Sequence, residues 1–193
     1  MKICMVAPWF PSLDADTVES QQGIFEYRQT TELGKRGNEF KVISIKWRGQ
    51  SEHEVISNNI EIYRIPAIFI FPKIRYPVPN FVALSRKIKL ACKDWKPDLI
   101  IYSHMNHLTA LPIFWLKNKT DAPLIVTSDG LPGISWFYAN KVIDGIGYLY
   151  SQIVAKSIFK LADGIQLMSS HLSKYIGKLN LGSTKVFLIP RGV

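Results

Sequence analysis

Lys2-Ile-Cys-Met-Val-Ala7, then Pro8-Trp-Phe-Pro11, then Gly23-Ile-Phe-Glu-Tyr-Arg-Gln29 is the stretch whose reading decides the fold. Six mostly apolar residues match the length of a buried parallel strand. The strand stops at Pro8, because proline lacks the amide hydrogen that a central strand needs. Ser12 to Gln22 is polar and reads as a loop, and Gly23 opens a helix. A strand, a loop and a glycine at a helix start make a setting for an anionic ligand. Glycine lets the ligand approach the backbone, and the first-turn amides present the positive end of the helix dipole. The same residues also read as an ordinary strand-to-helix connection.

Working outward, Gly34-Lys-Arg-Gly37 closes that helix with glycines and last-turn cations. Phe40 to Ile45 is a second strand, Lys46 to Asn59 a polar connector, and Ile60 to Ile65 an alternating strand toward the sheet edge. Pro66 to Pro79 interleaves apolar and aromatic residues with Lys73 and Arg75, and reads as an irregular segment. Asn80 to Trp95 follows as a basic helix. Pro97 to Tyr102 and Pro123 to Thr127 are further strands, with a short apolar helix at Leu108 to Lys117 between them. From Lys141 to Ala162 the apolar residues, among them Val142, Ile146, Leu149, Ile153 and Ile158, keep a helical period with one broad buried face. Ile165 to Met168 is a strand, Ser169 or Ser170 caps a helix over His171 to Ile176, and Lys185 to Ile189 is the last strand. Strands alternating with helices call for parallel pairing, since parallel neighbours need a crossover that is usually helical. The expected fold class is α/β: a Rossmann-like, open, doubly wound, mainly parallel sheet with helices on both faces, one domain over residues 1–193. In such folds ligands lie outside the carboxyl ends of the strands. That rule gathers Pro8 to Gly23, His104 to His107, and Asp129-Gly130 at one crevice.

Composition sets the limits on function. The 193 residues are 47% apolar and 20% charged, which excludes a disordered chain and leaves enough core for one large domain or two small ones. The net charge of +9 points to an anionic partner, such as a phosphate-bearing substrate or an acidic membrane surface, or else to plain solubility. No apolar run reaches the roughly 20 residues that span a bilayer. Cys4 and Cys92 lack metal-type spacing and read as reduced, buried thiols of a cytoplasmic protein. The N-terminus has strand chemistry and no cleavable secretion pattern.

The ordered segments resemble the N-terminal domain of a family 4 glycosyltransferase with the GT-B fold. Met1-Lys-Ile to Pro11 looks like the family's opening strand and loop. Gly23-Ile-Phe to Val42 is similar to its first helix and second strand, with Asn38 in place of a histidine. Lys96-Pro-Asp to His104 looks like the strand leading to the acceptor side of the cleft. Leu161-Ala-Asp163 to Ser169 and Val186 to Val193 resemble the closing segments. The resemblance implies a retaining enzyme that moves a sugar from a nucleotide-sugar donor to a hydroxyl acceptor, a glycan or a lipid-linked one. It also implies that this chain is the acceptor-side half, with the C-terminal nucleotide-sugar domain and its paired-glutamate motif elsewhere. The half alone is then expected to be inactive. No cofactor is implied beyond the nucleotide-sugar as co-substrate.

The site residues follow from the same match. Gly23, preceded by Gln22 where the family often doubles the glycine, reads as a diphosphate contact or as a structural turn. Asp129, before Gly130, stands where many members carry a histidine near the reacting centre; it reads as the catalytic carboxylate or as a turn cap. His104, Asn106 and His107 read as acceptor contacts or structural side chains, and no third ligand accompanies them for a metal. Arg191 replaces an asparagine and reads as a phosphate contact or as a solvated side chain. The Pro66 to Pro79 stretch with its basic helix suits the anionic inner face of a membrane, or a buried loop beside a solvated helix. A stand-alone, non-catalytic module for a phosphorylated ligand or anionic membrane is the alternative function. No segment resembles a nucleic-acid module, so nucleic acid is not an expected partner.

Overall fold

The computed structural model describes residues 1–12, 23–47, 49–71, 76–105, 107–116, 120–137, 140–179, 181 and 184–189. In chain order the elements are β1 (Lys2–Ala7), α1 (Ile24–Lys35), β2 (Glu39–Lys46), β3 (His53–Ser57), β4 (Ile60–Phe71), β5 (Tyr76–Pro79) and α2 (Phe81–Leu90). There follow β6 (Leu99–Tyr102), α3 (Ile113–Leu116), β7 (Leu124–Ser128), α4 (Lys141–Tyr150), α5 (Lys156–Leu161), β8 (Gly164–Leu167), α6 (Ser170–Ile176) and β9 (Lys185–Leu188). One π-helical turn, Ala91–Trp95, prolongs α2, and another, Ser151–Ala155, joins α4 to α5.

The strands form one sheet in the order β3-β4-β2-β1-β6-β7-β8-β9, with β5 paired to β4. Pairing is parallel except at β3–β4 and β4–β5. The chain runs outward from β1 to β2 and β4, then returns to place β6 on the other side of β1. The gap between β1 and β6 is therefore the topological switch point, where ligands of open α/β sheets bind.

Period-two alternation explains why both faces are covered. Along β1, Cys4 and Val6 join a core with Leu84 and Ile88 of α2 and Ile158 of α5, whereas Ile3, Met5 and Ala7 face the opposite core. Tyr27 and Leu33 of α1 pack on that second core. Burial of each such aliphatic side chain contributes about 1.5–3 kcal/mol, so two continuous cores hold the sheet. The expected fold class and single sheet are present, and the expected strands and helices occur in their expected order with β3 and β5 added.

Three elements differ from expectation. The connector between Lys46 and Asn59 holds a strand, β3, whose alternately exposed residues lie antiparallel along β4; with one face in solvent it leaves no apolar run to read. The segment after Pro66 is ordered: β4 continues to Phe71 and returns as β5. Pro77 and Pro79 are tolerated because β5 pairs with β4 alone, and an edge strand does not need every amide. Residues 72–75, including Lys73 and Arg75, lie outside the described residues.

The third correction concerns the long helix over α4 and α5. Its broad apolar stripe is exposed at Val142, Ile146, Leu149 and Ile153, while Gly147, Ser151 and Ala155 are buried. Small residues win the inner face because the backbones approach closely. A Cβ on Gly147 would sit 2.9 Å from Pro132 Cβ, and Ser151 Oγ donates to the Pro132 carbonyl at 2.8 Å. Gly133 completes the contact at φ 70, where a Cβ would meet the Asp144 carbonyl at 2.3 Å.

Among the described residues no helix is long and apolar enough to cross a membrane. Cys4 is buried as expected, whereas Cys92 is only half-buried; both are free thiols. Burial drives the Cys4 thiol far above its ordinary value.

Candidate active site

The site assembles where four strand or helix ends meet at the switch point. Gly23 begins α1 in the left-handed region, at φ 79 and ψ 10. A Cβ there would lie 2.4 Å from the Trp9 carbonyl oxygen, so only glycine lets α1 start this close to the loop after β1. Trp9 in turn sets its ring edge against His104 and His107, with centroids 5.4 and 5.2 Å away.

Glu26 lies in the first turn of α1, in phase with Thr30 and Gly34, and this stripe is buried. Its carboxylate is 1% exposed. Ser103 Oγ donates to Glu26 Oε1 at 2.5 Å, and His104 Nε2 donates to the same oxygen at 3.0 Å. The other ring nitrogen of His104, Nδ1, donates to Asp129 Oδ2 at 3.2 Å. The carboxylate of Asp129, just past β7, is 32% exposed and lies on the other side of the His104 ring from Glu26. Thr127 of β7 ties the β6 end to it: Thr127 Oγ1 accepts from the His104 amide at 3.2 Å, and the Thr127 carbonyl accepts from the Met105 amide at 3.0 Å.

His104 has a φ of 54, unusual for a residue with a Cβ. Strain of this kind costs about 1–3 kcal/mol and persists only where surrounding contacts hold it. Here two carboxylates, Thr127 and Trp9 do so.

The two histidines have opposite charge states. Burial works against a charged His104 ring, but the hydrogen bonds and charges of Asp129 and Glu26 raise it from 6.5 to about 9. Burial and the neighbouring His104 charge push His107 from 6.5 down to about 3. His107 is thus neutral; its Nδ1 accepts from the Thr109 amide at 3.2 Å and caps the short 3₁₀ turn Leu108–Ala110. Burial by itself would raise the Glu26 carboxyl, yet the hydrogen bonds and charge of His104, with Ser103, hold it below its ordinary value.

Of the residues singled out in the sequence, Gly23, His104, His107, Asp129 and Gly130 are brought together. Gln22, Asn106 and Arg191 lie outside the described residues. Gly130 is buried behind Asp129, and a Cβ there would make ordinary contact with Trp136 at 3.6 Å. Sequence reasoning missed Glu26 and Ser103, and it placed Trp9 at the crevice without giving it a role. The available signal was spacing: Glu26, Thr30 and Gly34 recur every four residues, which places a carboxylate on the same helix face as two small residues. A buried carboxylate requires a partner.

These features define a class, a Rossmann-like α/β domain of the kind that builds one half of a GT-B fold, with its polar crevice at the switch point. The chain belongs to glycosyltransferase family 4, whose model, Glycosyltransferase Family 4, matches residues 25–193. A sucrose-phosphate synthase from Thermosynechococcus elongatus is similar over 100% of this chain and 49% of its own, with a TM-score of 0.73 and 16% identity. A shorter chain of that synthase is similar over 100% and 90%, with a TM-score of 0.68 and 14% identity. UDP-N-acetylglucosamine 2-epimerase from Rickettsia bellii is similar over 97% and 44%, with a TM-score of 0.60 and 11% identity. The present chain thus spans about half the length of the first of these proteins. At such identities the likeness is one of fold. None of the curated proteins matches the chain.

Proposed function

We propose that the chain is the acceptor-binding, N-terminal domain of a retaining glycosyltransferase that transfers a hexosyl group from a nucleotide-sugar to a hydroxyl of a glycan or lipid-linked acceptor. In that reaction the acceptor oxygen bonds to the anomeric carbon, the bond from that carbon to the diphosphate oxygen breaks, and the nucleoside diphosphate departs with the proton that the acceptor hydroxyl gives up. The observation that carries the reading is the partly exposed Asp129 carboxylate at the switch point, held from behind by His104. A carboxylate so placed orients an acceptor hydroxyl or a hydroxyl of the donor sugar. Gly23 packs the start of α1 against Trp9, and the first-turn amides of α1 bind the donor diphosphate. A second domain in the native protein holds the nucleotide, and this half without it is inactive.

Asp129→Asn in the native gene product is the test. The substitution keeps size and removes charge. Transfer is expected to fall by about a hundredfold or more, within the range for a lost catalytic proton or hydrogen-bond contact. Unchanged transfer would exclude Asp129 from the reaction.

A second reading has its own observation. A groove of about 560 Å³ on α2 is lined by Val82, Leu90 and Trp115 together with Arg86, Lys89 and Lys93. Ile68 and Phe69 of β4 are also exposed, at 67% and 52%. Apolar and aromatic side chains beside three cations suit the anionic face of a membrane, here the cytoplasmic one. Co-sedimentation with vesicles of phosphatidylglycerol and phosphatidylcholine, against phosphatidylcholine alone, tests it. Binding to the anionic vesicles that Lys89→Glu weakens supports docking; equal, negligible pelleting removes it.

A further inference from the structure

Each ring nitrogen of His104 faces a carboxylate oxygen, Nε2 toward Glu26 and Nδ1 toward Asp129. A neutral imidazole has one N–H, and its bare nitrogen would set a lone pair against the second carboxylate. Both contacts are favourable together only when the ring carries both protons. The two carboxylates, however, are not equivalent. Glu26 is 1% exposed, is held by Ser103 Oγ, and sits at the positive end of α1, where the helix dipole favours a negative charge. Asp129 is at the mouth of the crevice and is 32% exposed. One end of the chain is therefore anchored in the protein and the other is presented to a ligand.

We propose that Glu26 is a positioning residue of the crevice. By clamping Nε2 of His104 it keeps the Nδ1–H aimed at Asp129, and so fixes the carboxylate orientation that a substrate hydroxyl meets. The inference rests on the reading of Asp129 as the substrate-facing group. The groups around the ring are Glu26 from α1, Asp129 from the end of β7, neutral His107 from its own loop, and the uncharged Trp9 from the end of β1. Glu26 is thus the charged partner of His104 that a substrate does not touch.

The test uses the native protein with histidine labelled with nitrogen-15, in the wild type and in Glu26→Gln and Glu26→Asp. In the wild type the His104 ring is expected to keep the imidazolium signature through neutral pH. In Glu26→Gln it should titrate at least one pH unit lower, while Glu26→Asp retains part of the effect, since a partial charge–charge contact remains. A His104 titration unchanged in Glu26→Gln overturns the proposal. Should Glu26→Gln fold poorly, Glu26→Asp is the second variant: its shorter side chain weakens the contact with Nε2, so His104 should still titrate below the wild type, and no shift there also overturns the proposal.

In the transfer assay, the deficit of Glu26→Gln in kcat/KM should grow about twofold or more between pH 6 and pH 8, as its unclamped ring loses the proton. A deficit equal at both pH values marks a merely structural role and overturns the proposal. Should Asp129→Asn leave transfer intact while Glu26→Gln still shifts the His104 titration, the reading of Asp129 fails and the contact between Glu26 and His104 does not.

Discussion

At the residue scale, the crevice depends on what each position can physically hold. Gly23→Ala must place a methyl group within 2.4 Å of the Trp9 carbonyl in a left-handed conformation. We expect it to destabilise the protein by about 2 kcal/mol or more, beyond the usual cost of a left-handed alanine, read as a lowered denaturant midpoint. A midpoint equal to the wild type would mean that α1 does not begin against Trp9. Arg64 makes a comparable case in β4. Its side chain is fully buried, donates to Glu54 at 2.7 Å and to the Pro11 carbonyl at 3.0 Å, and so pins the loop that leaves β1. Arg64→Ala removes the buried cation from Glu54, which keeps the hydrogen bond from Ser12 Oγ at 3.0 Å, and should cost about 3 kcal/mol in the same measurement. The sequence made Gly23, His104 and Asp129 visible because they follow strand ends. It hid Glu26, since a first-turn glutamate usually reads as a solvated charge at a helix start. Only the third dimension brings residue 26 against residue 104 across the sheet edge. The charge on His104 and its absence on His107 were hidden as well: burial and the carboxylates of Glu26 and Asp129 set the first, and burial beside that charged ring sets the second.

At the scale of elements, most strands were legible because doubly covered parallel strands are continuous apolar runs with proline or glycine at their ends. β3 was not, since its exposed face mixes Val55 with His53 and Ser57 and shows no clean alternation, and β5 was obscured by two prolines that an edge position tolerates. α4 shows why periodicity finds a face and not its orientation. The apolar stripe at Val142, Ile146 and Leu149 is exposed, and the small residues Gly147 and Ser151 make the tight contact with Pro132. The consequence can be measured. Leu149→Lys should shift stability by no more than about 0.5 kcal/mol, as for other exposed positions, while Gly147→Val should cost about 1–3 kcal/mol through overpacking. The reverse order would place the apolar stripe inside.

At the scale of the whole molecule, the fold brings buried charges from α1, β6 and β7 together, and its stability should report them. The folded chain holds His104 protonated to about pH 9, whereas the unfolded imidazole loses its proton near 6.5. Its contribution is therefore full below pH 6.5 and fades as pH rises through about 9. Glu26 is held below 4.5, so its contribution is present above that value and is lost as acid reaches the lowered one. Thermal unfolding from pH 6 to 10 should decline in the wild type more steeply than in His104→Gln; parallel curves would deny the charged ring. Family membership and the Rossmann-like sheet were readable from the order of strands, loops and helices along the chain. The substrate was not, because acceptor and donor contacts depend on loops that composition does not decode. Whether this crevice serves sugar transfer from a nucleotide donor is decided by calorimetric titration of the native gene product with UDP-, GDP- and ADP-sugars. Saturable binding of at least one of them is expected, with a nucleoside diphosphate competing; no binding of any sugar nucleotide would rule that role out.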